Sequence, residues 1–411
     1  MKKFLALLLA LAMMLALVAC GGTGDTGTDA EGTADDTATT DTETTDDAAQ
    51  TEETGDTAGA TGTAFKIGGI GPLTGANATY GNAAMNGAQI AVDEINALGG
   101  DIQFEFQVED DVGEAETSVN AYHALTDWGM QALIGPVTTT PSIAVAAEAY
   151  ADRVLALTPS ASSTDVTAGR DNMFQICFTD PNQGLASADY IAANMPDSTI
   201  GILYRNDDAY SQGIRDSFVA EAGEKGLTIA GEWTFTEDTQ TDFSVQLAAA
   251  QAAGVDLLFL PIYYTPASVV LNQANSMGYA PTFFGVDGMD GILTLEGFDT
   301  SLAEGVMLLT PFSATDEAAA DFVATYEANY GETPNQFAAD GYDAVYALYA
   351  AIQQAGVTAD MSAADICEAL IPAMTEITVD GLTGTLSWSA NGEVSKEPAA
   401  YVIQNGEYVA A

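Results

Sequence analysis

From Phe65 onward short runs that are mostly apolar, or in which apolar and polar residues alternate as at Phe104, Phe106 and Val108, are interspersed with longer stretches whose apolar residues recur at helical spacing. Residues 66–70, 104–108, 132–135 and 154–157 read as strands. Between the first two, residues 82–98 place Ala84, Ala88, Ala91, Ile95 and Leu98 on one helical face, and Gly99-Gly100 ends the helix. Val119, Tyr122 and Leu125 mark a second helix, and Pro141 opens a third. Past Pro181 the rhythm resumes, with strands predicted at 199–204, 228–235, 256–260 and 282–285. Apolar strands alternating with amphipathic helices specify an α/β fold, a mostly parallel sheet covered on both faces. Two such runs of domain size predict two doubly wound parallel-sheet lobes. In open parallel sheets ligands bind beyond the carboxyl ends of the strands. The loops there (71–80, 136–141, 158–163, 205–210, 261–266 and 286–290) are rich in hydroxyls, tyrosines and prolines and poor in basic residues.

What precedes Phe65 has a different character. Lys2 and Lys3 lead an apolar run over 4–18 that is too short to span a bilayer comfortably. The string Leu17-Val18-Ala19-Cys20-Gly21 resembles the bacterial lipobox. That resemblance implies a signal peptide over 1–20, a diacylglyceryl group on Cys20 and a lipid anchor on the outer face of the cell membrane. Two acyl chains suffice for stable anchoring. Residues 21–64 are almost wholly Thr, Asp, Gly, Ala and Glu. Such a stretch lacks the apolar surface to offset its ordering entropy, so a disordered acidic linker is expected. No later run is long and apolar enough for a transmembrane helix.

With 59 acidic and 9 basic residues, the net charge of −50 disfavours nucleic acid and anionic lipid surfaces as partners and favours a soluble monomer. The lone histidine, His123, has no companions at metal-ligand spacing, so no metal site is expected. Cys177 and Cys367 read as single buried thiols before they read as a bridge. No nucleophile elbow and no phosphate-binding loop occurs. The glycines at 68, 69, 71 and 75 miss the dinucleotide spacing, and Pro72 removes an N–H that a phosphate would use. No catalytic set and no cofactor is therefore predicted. What remains are hydroxyls, aromatic rings and acids at strand ends, groups suited to a small zwitterion.

The blocks 67–75 (IGGIGPLTG), Tyr80-Gly81, 91–96 (AVDEIN) with Gly99-Gly100, Asp110-Asp111, 133–136 (LIGP), 157–161 (LTPSA) and Asp208-Ala-Tyr210 with Gly213 follow one another in a characteristic order. In that order and spacing the chain resembles the leucine/isoleucine/valine-binding receptors of ABC importers, from about Phe65 to the C-terminus. The resemblance implies a type I periplasmic-binding-protein fold, its lobes joined by crossing strands near 175–181, 306–312 and 392–401. The lobes would be 65–180 with 313–395 and 181–312 with 396–411. It also implies an extracytoplasmic receptor that captures an amino acid, branched-chain or otherwise apolar, by hinge closure and delivers it to ABC permease subunits. An amide- or urea-type receptor, or a ligand-presenting sensor module, shares the fold.

By the same resemblance the ligand carboxylate falls to Thr139, with Thr138 beside it and Val137 lining the loop. Ser160 and Ser162 fall at the ammonium, Asp287 pairs with it from the second lobe, and Tyr80, Tyr210 and Tyr263 form aromatic walls. The acid is Asp where the leucine-type receptors more often carry Glu. Plainer roles compete at each position. Thr138–Thr140 before Pro141 suits a helix cap, Ser160 and Ser162 suit a turn and cap, Asp287-Gly288 suits a turn, and Asp110-Asp111 suits a strand-end turn near the cleft.

Overall fold

The structure, a computed structural model, describes residues 63–411. The leader, Cys20 and all but the last two residues of the acidic stretch lie outside the described residues. Five parallel strands, β1 (Phe65–Gly71), β2 (Phe104–Asp110), β3 (Ala132–Ile134), β4 (Leu155–Thr158) and β5 (Met173–Gln175), form one sheet in the order β2-β1-β3-β4-β5. A second sheet follows the order β14-β13-β10-β9-β8-β6-β7. Its parallel core is β6 (Thr199–Arg205), β7 (Thr228–Phe235), β8 (Leu257–Leu260), β9 (Thr282–Gly285) and β10 (Met307–Thr310), and the terminal hairpin β13 (Ala399–Gln404) and β14 (Glu407–Ala410) adds antiparallel strands at one edge.

The central strands are apolar at most positions because both faces are covered. In β4, Leu155 and Leu157 face one core while Ala156 faces another; in β8, Leu258 and Leu260 pack oppositely to Leu257 and Phe259. All of these are buried, and each large one is worth about 1.5–3 kcal/mol. On the first sheet, α1 (Ala78–Ala97) lies over one face; α2 (Ala115–Trp128) and α3 (Thr139–Asp152) lie over the other. In the second half come α4 (Asp180–Asn194), α5 (Ala209–Lys225), α6 (Ser244–Ala252) and α7 (Tyr264–Ser276). After β10 the chain returns to the first sheet through α8 (Ala320–Tyr330), α9 (Gln336–Ala355) and α10 (Ala363–Met374), then passes a small hairpin, β11 (Val379–Gly381) and β12 (Gly384–Leu386), on its way to β13.

Helix α9 packs tightly against α1. A β-carbon at Gly87 would overlap the Ala338 carbonyl, and one at Gly341 would overlap the Ala84 carbonyl. That reciprocal approach sets Tyr80 and Phe337, one near the start of each helix, 4.6 Å apart between ring centroids. Cys177 and Cys367 are both buried and unbridged. His123 sits exposed on α2. Among the described residues, no helix is long and apolar enough to cross a membrane, and no three His, Cys, Asp or Glu side chains group as metal ligands.

Candidate functional site

Strand ends of both sheets converge on one small cavity. It is lined by Tyr80, Val137, Thr138, Thr139, Ser160, Tyr210, Tyr263, Asp287, Gly288 and Phe337. Eight of the nine residues singled out in the sequence are thus brought together; Ser162 is the exception. The void itself is about 10 Å³, barely one water molecule. No basic side chain lines it.

One wall is the N-terminus of α3. Thr138 is its N-cap, with extended backbone, yet its side chain makes no capping bond. The Thr138 hydroxyl is buried without any hydrogen-bond partner. The first N–H groups of a helix have no intrahelical acceptor, and the helix dipole makes them attractive to anions. The cap role is therefore filled by backbone geometry alone, and the hydroxyl and the Thr139 N–H stay free for an anionic group.

The opposite wall holds an acid. Asp287 follows β9 in a single 3-10 turn and is 3 % exposed. Its Oδ1 accepts the Tyr210 hydroxyl at 2.6 Å and the Gly288 N–H at 2.7 Å. Burial pushes its carboxyl up to about 7, against the lowering effect of the Tyr210 hydroxyl. The turn reading and the cavity position are thus both realised at Asp287-Gly288. The loop after β4 brings Ser160 to the cavity, but Ser162 is fully buried outside its lining. The reason is a neighbour the sequence did not advertise. The Ser162 carbonyl accepts the N–H of Asp180 at 2.9 Å, which turns the residue toward the start of α4. The Ser162 hydroxyl and both Asp180 carboxylate oxygens are buried without a hydrogen bond of ordinary geometry. Burial drives the Asp180 carboxyl well above its usual range, eased by the adjacent Ser162 hydroxyl and raised further by Asp287.

The rings close the remaining sides. Tyr210 and Tyr263 stack at 4.8 Å with an interplanar angle of 10°, and Tyr80 tilts against Tyr263 at 5.6 Å. The Tyr80 hydroxyl donates to the Gly288 carbonyl at 2.5 Å and accepts the Tyr264 N–H at 3.1 Å. Further bonds tie the two sides together. The Thr265 hydroxyl donates to the Ala76 carbonyl at 2.8 Å, and the Gln336 amide donates to the Asp287 carbonyl at 2.9 Å. Gly288 and Phe337, which line the cavity, were missed from sequence, as was the buried Asp180 beside Ser162. Phe337 sits at a helix start distant in the chain, whereas Asp180 stood in a predicted crossing and could have been flagged as an acid in an otherwise apolar hinge. Asp110 and Asp111 lie outside the cavity lining; Asp110 accepts the Leu73 and Val112 N–H groups as a strand-end turn.

A family model described as "Periplasmic binding protein" matches residues 64–406. The chain is 29% identical over 343 residues to the Leu/Ile/Val-binding protein homolog 3 of Brucella melitensis, covering 82% of this chain and 90% of that one. Among solved structures, the leucine-binding protein LivK of Thermotoga maritima superposes with a TM-score of 0.75 at 28% identity, covering 84% of this chain and 97% of its own. The branched-chain amino acid transporter substrate-binding protein LivJ of Streptococcus pneumoniae, solved with isoleucine, gives 0.76 at 28%, covering 85% and 98%.

Proposed function

Since the chain belongs to the periplasmic-binding-protein family, we propose that it is the extracytoplasmic receptor of an ABC importer and captures a free amino acid between its two lobes. The observation that carries this reading is the pairing, around one cavity, of a free helix N-terminus and orphan hydroxyl at Thr138 with the buried carboxyl of Asp287. An α-carboxylate answers the first and an α-ammonium the second. Buried polar groups without partners are costly, and a zwitterion of the right length relieves both ends at once. A buried acid on the cavity wall without a cation beside it favours an ammonium over a neutral amide or urea. Tyr80, Tyr210, Tyr263 and Phe337 then enclose an apolar side chain of the branched-chain class.

In this proposal Thr138 and Thr139 hold the carboxylate, and Ser160 and Asp287 surround the ammonium, with Ser162 and Asp180 buried outside the cavity lining. Because the void is so small, entry requires the lobes, 65–180 with 313–395 and 181–312 with 396–411, to part about the crossings and close again. The closed form is what the permease would recognise. Cys20 tethers the receptor through its lipid to the outer face of the membrane, and residues 21–64 act as the spacer. The receptor returns its ligand chemically unchanged. A thermal-shift screen of the amino acids, urea and short amides tests the core reading, since a ligand that binds only the folded state raises its melting temperature. A shift for leucine, isoleucine or valine is expected; shifts confined to amides, or none, would discard it. Incorporation of a radiolabelled fatty acid, lost in Cys20→Ala, tests the anchor.

A further inference from the structure

A second cavity, independent of the first, lies where the loop after Asp287 meets the terminal hairpin and the residues leading into α9. It measures about 470 Å³, within the roughly 300–1,000 Å³ of sites that enclose small molecules. Its floor is Asp290, which is 1 % exposed. Asp290 accepts two backbone N–H groups, from Gly291 at 2.8 Å and Gln336 at 2.9 Å, and forms no ion pair. Beside it the Tyr408 hydroxyl is buried with no hydrogen bond of ordinary geometry, close enough to Asp290 to act on its carboxyl. Glu327 and Glu407 stand at the exposed rim, and Leu293 and Val323 supply apolar wall. No lysine, arginine or histidine lines the cavity.

From this arrangement we infer that the cavity is a second ligand site, for a small organic amine with a short apolar body, whose ammonium is held by Asp290 and the Tyr408 hydroxyl. A carboxylate has lone pairs for about four hydrogen bonds, and backbone donors use two of them here. A phenol oxygen can accept from an ammonium while its proton turns to the carboxylate. A second ammonium on the same molecule would reach the rim glutamates, which makes an α,ω-diamine the best-matched probe. The cavity is walled by segments from both sides of the crossings, and Gln336 touches both Asp290 and the main chain of Asp287. An occupant therefore favours the same closed arrangement as the amino acid, without touching it.

The test is calorimetric titration of the full-length chain with 1,4-diaminobutane, without amino acid and with ionic strength held constant by potassium chloride. Saturable binding at one site is expected. Leu293→Trp, which fills the cavity, should abolish it, and Asp290→Asn should weaken it about 30-fold or more, the range for removing one partner of a buried charged pair. No saturable heat, or binding unchanged in Leu293→Trp, would mean that only the diffuse acidic surface attracts amines, and the site is overturned. Binding unchanged in a folded Asp290→Asn protein would remove Asp290 from the site and sink the proposal as stated. None of these outcomes depends on the amino-acid reading, because the probe, the cavity and the variants are separate from Thr138 and Asp287.

Discussion

Asp287 sits in the most consequential electrostatic position in the molecule, since its neighbours decide whether it carries a charge. With its carboxyl raised to about 7 by burial, it holds a proton through much of the mildly acidic range. In the proposed site only the ionised form pairs with an ammonium, so below about pH 7 amino-acid binding there would expel that proton. Affinity is expected to fall as pH drops below 7, up to about tenfold per unit, and to level off above it. Titrations at pH 6 in buffers of different ionisation enthalpy read the proton release directly. The protein without amino acid shows the converse. An acid whose folded value is raised stabilises the fold below its unfolded value, about 4, and that contribution is lost as pH rises through 7. Replacing the group tests its role more bluntly. Asp287→Ala should weaken amino-acid binding by about 2–5 kcal/mol, measured by calorimetry; a change under about 0.5 kcal/mol would remove it from the site.

At the scale of elements, the contact between α1 and α9 fixes the aromatic wall. Gly341 meets the Ala84 backbone and Gly87 meets the Ala338 backbone, so neither helix has a soft side chain to yield. Gly341→Ala should destabilise the protein by about 1–3 kcal/mol, seen as a lower urea midpoint at unchanged slope. It should also disturb binding, because Phe337 and Tyr80 move with their helices. These elements also mark what the sequence made legible. The strands β1 to β4 and β6 to β9 stand where the sequence pattern predicted them: central strands covered on both faces are mostly apolar, and the edge strands β2 and β7 alternate apolar with polar residues. Strand β5, three residues long, carries too little pattern to register. The terminal hairpin was read only as a crossing, since its half-exposed strands lack the continuous apolar signature. Thr138, Thr139, Ser160 and Asp287, singled out by resemblance to the family at strand ends, line one cavity. Phe337 and Asp180 escaped because what makes them matter is contact across long stretches of chain, which no local spacing encodes.

The whole molecule carries −50 with only 9 basic residues, so its surface is dominated by repulsion and has few ion pairs to lose. Raising salt from about 0.1 M to 1 M shortens the screening length from roughly 10 Å to 3 Å. The melting temperature should therefore climb with potassium chloride; a flat or falling curve would show that self-repulsion is not what limits stability. Closure across the two sheets relies on a different currency. Tyr80 reaches the Gly288 carbonyl, Thr265 the Ala76 carbonyl and Gln336 the Asp287 carbonyl, and the N–H of Tyr264 returns to Tyr80. Every one of these clasps uses a main-chain atom on one side. A mutation that changes the side chain at 76 or 264 leaves that atom in place, so descendants of this gene can vary those positions without having to reinvent the way the jaws shut.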